Sequence, residues 1–251
     1  MLLVSLTALG IGGATAIGAI LGFLLKRIPH QWVDGLIGFA AGVMLAAAIT
    51  GLILPAVDLL HPTQLWIVAA GMFSGALFLN LMDMVVPHLH HLTGIDPEQH
   101  RNNEHLNKIL LFVMAIAIHN FPEGLAAGVA FGGEDLGNAL SVAAGIALQN
   151  IPEGMIIISP MLLAGISGRR TFVIALLTGF VEVAGTFLGY FAAMATTAIL
   201  PLALSFAGGT MLYIVSDEMI PETHSHGYEK LATFSMMAGF FLMILMNAFI
   251  S

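Results

Sequence analysis

Two short stretches carry cation-binding side chains inside runs that are otherwise apolar. His119-Asn120-Phe121-Pro122-Glu123-Gly124 is echoed by Gln149-Asn150-Ile151-Pro152-Glu153-Gly154. Residues three or four apart lie on one face of a helix. His119 and Asn120 therefore line up with Glu123, and Gln149 and Asn150 with Glu153. Each copy offers one carboxylate and two nitrogen or oxygen donors. Proline adds acceptors: Pro122 cannot donate to the carbonyl of Ile118, nor Pro152 to that of Leu148, so a kink at each ring frees a backbone oxygen. Glu182, with Thr178 four residues before it, contributes a third carboxylate from another apolar run. An ionised side chain at the centre of a membrane helix costs roughly 2.5 to 3.5 kcal/mol on insertion scales, which makes it a functional hypothesis by default. Carboxylate and amide oxygens suit hard divalent ions, imidazole draws the preference toward Zn²⁺, Fe²⁺ or Mn²⁺, and a chain without cysteine has no thiolate to offer Cu(I).

The elements that must hold these groups are membrane spans. The 251 residues are 58% apolar and 9% charged, with a mean hydropathy of +0.95, whereas soluble domains carry about 25% charged residues. A helix needs about 20 apolar residues to cross the hydrocarbon core. Eight runs qualify, near 2–25, 33–59, 64–86, 106–132, 137–164, 170–197, 199–219 and 229–250. The fold class is thus an all-α polytopic membrane protein of eight transmembrane helices, one domain over 1–251, with helices 4 and 5 kinked at proline. Residues 1–25 lack a basic leader and carry Lys26 and Arg27 after the apolar stretch, so they read as a span rather than a cleaved signal. The single long connection, 87–105, is polar and His-rich.

Lys26, Arg27, Arg101, Lys108, Arg169, Arg170 and Lys230 all fall on one side of this topology, and the opposite loops hold no basic residue. The positive-inside rule then sets both termini outside and loop 87–105 in the cytoplasm. A net charge of −8 argues against nucleic acid as a partner. Spans 4 and 5 run antiparallel, so their shared phrase superposes only through a two-fold axis in the membrane plane. Both copies then lie near the midplane, as in secondary transporters built from inverted repeats. Glycine pairs four apart, Gly38/Gly42, Gly71/Gly75, Gly124/Gly128 and Gly185/Gly189, mark faces where helix backbones approach closely.

Three other readings compete. Buried Asn, Gln and His often act only as interhelical hydrogen-bond glue, but three carboxylates at one depth exceed that need. An intramembrane metalloenzyme needs an open metal position and an activated water, and its H-E-x-x-H signature is absent, so no enzyme and no cofactor are expected. A channel-like passive cation pore would use similar carboxylates and stays open as the alternative.

The two phrases resemble the helix 4 and helix 5 signatures of the ZIP (Zrt/Irt-like protein) divalent metal transporters, and the eight spans and His-bearing third loop are similar to that family over essentially the whole chain. Gln149 and the stretch from Gly38 to Ala48 resemble its bacterial GufA-like branch. The resemblance implies the ZIP fold and uptake of divalent cations, Zn²⁺ first with Fe²⁺, Mn²⁺ and Cd²⁺ as alternatives, through a binuclear site at mid-membrane in the bacterial inner membrane. By the same resemblance Met44, His119, Glu123 and Glu153 match ligands of a first metal. Asn120, Gln149, Asn150, Glu153 and Glu182 match the second, with Glu123 and Glu153 able to bridge. Asn150 departs from the Asp of some members and makes the second site less negative. Asp83 at the end of span 3 with His88 and His90 just beyond it, and Met211, Asp217 and Glu218 at the end of span 7, match an inward metal relay. A homodimer is also implied. His224 and His226 read as solvated loop histidines.

Overall fold

The computed structural model describes residues 1–25, 28–85, 118–163, 165–196 and 198–250, and every regular element among them is helical. The first helix, α1, covers Leu2–Leu25, and α2 covers His30–Asp58. Helix α3 covers Trp66–Val85, and α4 is described over 118–130. Then come α5 (Leu136–Leu163), α6 (Gly168–Ala195), α7 (Leu200–Thr223) and α8 (Glu229–Ile250). Among the described residues seven of these are long and apolar enough to cross a membrane, α4 being described over 118–130 alone. Loop 87–105, with His88 and His90, lies outside the described residues, as do Lys26, Arg27, Arg101, Lys108 and the side chain of Asp83.

Large apolar side chains face outward along the helices. Phe73, Leu163, Phe180, Phe234 and Phe249 are all more than 60% exposed, as expected of helices that meet lipid rather than water. Trp32 and Trp66 are also exposed, at the first turns of α2 and α3, the amphipathic positions that interfacial tryptophans occupy.

Glycine sets the helix pairing. A Cβ on Gly38 or Gly42 would meet the carbonyls of Ala232 or Met236, which brings α2 against α8. Gly75 and Gly209 do the same for α3 and α7, against Phe206 and Met72. Gly124 and Gly128 sit on the carbonyls of Glu182 and Thr186, while Gly185 and Gly189 sit on those of Phe121 and Leu125, so two glycine pairs interlock α4 with α6. Gly18 and Gly154 close α1 on α5, and Gly12 with Gly179 closes α1 on α6. Small residues at such crossings let backbones touch where lipid gives no hydrophobic drive to association. Between these pairs runs an apolar core that includes Met44, Met211 and Met243, all fully buried.

Two features go beyond what the sequence predicts. Helix α2 widens to π geometry over Ala47–Ile53, and α7 does so over Val215–Met219. Each is followed by a proline, Pro55 or Pro221, in the next helical turn. Pro55 has no N–H for the carbonyl of Gly51, four residues back, and that oxygen instead accepts from Asn138 Nδ2 of α5 at 2.9 Å. Span 7 also runs further than the expected end at 219, through Pro221 to Thr223, because proline is tolerated in the first turn of a new helical segment. Helix α5 passes through Pro152 and Pro160 without interruption.

Candidate metal site at mid-helix

The repeated phrase occupies facing stretches of α4 and α5, and α6 brings Glu182 to the same place because its backbone carbonyl lies against Gly124. Glu123, Gln149, Asn150 and Glu182 are fully buried, Asn120 is 3% exposed, and Glu153 is half-buried. Glu123 and Glu182 each lie within electrostatic reach of Glu153, and Glu123 within reach of Glu182. Met44 of α2 is fully buried in the adjoining apolar core.

The carboxylates differ in their partners. Glu182 is saturated: Thr15 Oγ1 donates to its Oε1 at 2.9 Å, Asn120 Nδ2 to the same oxygen at 2.5 Å, and Asn150 Nδ2 to Oε2 at 2.6 Å. No well-formed hydrogen bond reaches either oxygen of Glu123, although the Gln149 amide lies within its reach, and none reaches Glu153 Oε1. Both amide atoms of Gln149 and the carbonyl oxygen of Asn150 are likewise buried without a well-formed hydrogen bond. Buried polar atoms are rarely left this way, and an unpaired one costs about 1 to 3 kcal/mol, more if charged. Here the orphans share two helix faces and are nearly all acceptors. That is the environment a cation or protons would complete.

His119 lies within electrostatic reach of Glu153 and has a second carboxylate partner. Its Nε2 is hydrogen-bonded to Glu218 Oε2, on the π-helical segment of α7. Both side chains are partly open, 24% and 13% exposed, so this contact joins the interior cluster to more accessible space at the end of α7. Asp217 is exposed, and Met211 is buried one to two turns earlier. Among the described residues no three or more His, Asp or Glu side chains are gathered tightly enough to hold an ion as they stand.

Sequence reasoning missed Thr15, a fully buried hydroxyl on α1. Its signal was faint. A lone threonine among small residues is indistinguishable from packing until Gly12 and Gly18 are seen to seat α1 against α6 and α5. Asp34 was missed too. It is fully buried on α2, with Oδ1 3.1 Å from His226 Nδ1 and Oδ2 unpartnered, and the His226 ring stacks on that of His30 at 5.0 Å.

A bundle of apolar helices closed around unpaired acceptors defines a multi-pass membrane protein with a polar interior site. Residues 99–247 match the family model described as ZIP zinc transporter. The chain is 38% identical over 242 residues to the zinc transporter GufA of Myxococcus xanthus, covering 94% of each. It is 37% identical over 251 residues to the zinc transporter ZIPB of Bordetella bronchiseptica, covering 93% of this chain and 77% of the relative. It is 30% identical to the zinc transporter ZIP11 of Homo sapiens over 92% of each chain. The chain belongs to the ZIP family, beside its bacterial GufA-like members, and the family consists of transporters, not enzymes.

Proposed function

We propose that this protein carries divalent transition-metal cations, Zn²⁺ first, into the cytoplasm through the site on α4, α5 and α6. The observation that carries the reading is the set of buried acceptors on Glu123, Glu153, Gln149 and Asn150 that no well-formed hydrogen bond satisfies. They are hard oxygen donors arranged on two helix faces, and relatives along nearly the whole chain bear the name zinc transporter. Glu123 and Glu153 are the central ligands, His119 and Met44 add nitrogen and sulfur, and Asn120, Gln149, Asn150 and Glu182 complete the polar cluster for one ion or two. Loading through Nε2 would exchange Glu218 for the ion, whereas loading through Nδ1 would keep Glu218 as the outer partner of the ring. Once released inward, the ion would meet Glu218, Asp217 and Met211 of α7, then Asp83 of α3 and His88 and His90 beyond it.

The architecture proposed for this work is eight spans related by an in-plane two-fold, with kinks at Pro122 and Pro152, both termini outside, and a homodimer in the inner membrane. Several correspondences support the two-fold. Pairing α4 with α5, α1 with α6, α2 with α7 and α3 with α8 maps the α1–α5 contact onto α6–α4 and the α2–α8 contact onto α7–α3. The same mapping matches the two π-helical segments and the prolines that follow them. Such symmetry lets one half rock against the other around a fixed site.

Uptake into proteoliposomes tests the reading. Zn²⁺ flux saturates in the wild type and is abolished by Glu123→Ala and by Glu153→Ala in protein that still folds. Wild-type rates in both variants would sink it. Flux linear in concentration would replace the carrier with a passive pore, which the transporter names of the relatives do not favour.

A further inference from the structure

We propose that the turn from α5 into α6 binds an anionic phospholipid, with the headgroup phosphate on Arg169 and Arg170 and an acyl chain along the outward face of α6. The inference goes beyond the transport reading and holds whichever ion is carried.

The turn is built stiffly. Gly165 takes φ +82°, a conformation open to glycine at little cost, and the Ile166 N–H then donates back to the Met161 carbonyl at 3.1 Å. Ile166 is buried with Ile157 and Met161, and Ile174 of α6 packs against all three. On the other side Phe172 packs with Phe23 of α1, ring centroids 6.4 Å apart, over Ala19, Ile158 and Ala175. The first turn of α6 is held from two sides, and Arg169 and Arg170 stand exposed on it.

Their charge is unmatched. Among the described residues neither arginine has a carboxylate partner, and the first turn of α6 holds no acidic residue. Cations suit the C-terminal end of a helix, because the N-terminal end already carries partial positive charge. Two arginines at the opposite end call for an anion from outside the chain, and a guanidinium fork matches phosphate oxygens with paired hydrogen bonds. Lys230 is also exposed in a first turn, that of α8, but Glu229 precedes it there. Setting the topology accounts for basic residues at this end of the bundle. It does not account for a groove beside them.

That groove selects a lipid among anions. It is open, about 370 Å³ in volume, and lined by Arg169, Arg170, Val173 and Ile174. Its wall is nearly all carbon, so the arginines contribute their stems and keep their charged ends at the rim. Val173 is followed at helical spacing by Leu177 and Phe180, all exposed, and the groove thus continues into a strip that faces the hydrocarbon. Free phosphate would occupy the rim alone, whereas a phospholipid fills rim and strip together. On the proposed orientation it comes from the cytoplasmic leaflet.

Native mass spectrometry of the full-length protein in detergent, titrated with phosphatidylglycerol or phosphatidylcholine of matched chains, tests the site. The wild type is expected to hold one phosphatidylglycerol per chain at least tenfold more tightly than phosphatidylcholine. Arg169→Gln combined with Arg170→Gln is expected to weaken phosphatidylglycerol about 30-fold, from about fivefold per arginine. Lys230→Gln is expected to keep the wild-type affinity. Equal binding of the two lipids by the wild type overturns the proposal, and that comparison needs no variant to fold. An equal loss in Lys230→Gln marks diffuse attraction by basic charge and overturns it too. So does inorganic phosphate that displaces phosphatidylglycerol at equal concentration, since the site would then take a free anion.

Discussion

His119, on the α4 copy of the repeated phrase, is hydrogen-bonded through Nε2 to Glu218 on the π-helical segment of α7. The nitrogen ligand proposed for the interior site thus shares a hydrogen bond with the carboxylate proposed for the way out. On that reading an ion taken by His119 Nε2 would displace Glu218, and Glu218 would receive it again by the reverse step. Removing either partner should separate binding from release. His119→Ala is expected to weaken Zn²⁺ binding about tenfold or more, equivalent to about 1.4 kcal/mol. Glu218→Ala is expected to keep that affinity and to slow uptake by a similar factor. Isothermal titration of purified protein set beside proteoliposome flux measures both, and an equal loss of affinity in the two variants would contradict the exchange.

The interlock of α4 with α6 predicts a sharp contrast among glycines. A Cβ at Gly128 would stand 2.0 Å from the Thr186 carbonyl, a backbone atom that cannot swing aside, whereas a Cβ at Gly10 meets nothing within 4 Å. Gly128→Ala must push apart the helices that carry Glu123 and Glu182. Overpacking of this kind costs about 1 to 3 kcal/mol. Gly128→Ala should lower the thermal midpoint in detergent and reduce uptake, while Gly10→Ala should change neither, as thermostability and flux assays on the two variants would register.

The spans were legible because apolar length alone specifies them, and observed ends such as Leu2–Leu25 and Glu229–Ile250 fall on the expected boundaries. The repeated phrase was legible because carboxylates are costly in such runs. What the sequence hid is who partners whom. Nothing in the spacing of Glu182 reveals that Thr15, Asn120 and Asn150 donate to it, since those donors lie 167, 62 and 32 residues away. The π-helical segments were hidden for a related reason. Pro55 predicts a freed carbonyl at Gly51, but its rescue depends on Asn138, 87 residues on.

That rescue can be tested directly. Asn138 is 8% exposed, its backbone N–H is capped by Asp135 Oδ1 at 2.9 Å, and its side chain supplies the bond that Pro55 denies to Gly51. Asn138→Ala leaves the Gly51 carbonyl buried without a donor, which costs about 1 to 3 kcal/mol. The variant is expected to unfold at lower temperature. Pro55→Ala in the same background restores an N–H four residues after Gly51 and should recover some of the loss. Thermal unfolding of the single and double variants decides it, and additive losses would exclude the proposed rescue.

Asp34 and His226 make the last case, because the sequence offered His226 as a solvated loop residue while the structure gives it a partner. The Asp34 carboxylate is fully buried, and His226, reached through the turn at Gly227 with φ +86°, is the side chain bonded to it. Gly227 suits that turn because a positive φ is open to glycine at little cost. His226→Ala strips Asp34 of this partner and frees the α7–α8 turn from α2, at about 1 to 3 kcal/mol for a buried group left unpaired. A histidine that merely buffers metal would, on removal, change the zinc concentration dependence and leave stability alone. The pairing predicts the opposite: a lower thermal midpoint for His226→Ala with an unchanged KM for Zn²⁺, and a midpoint largely restored by Asp34→Asn in the same chain, since a neutral amide is less costly to bury than an unpaired charge.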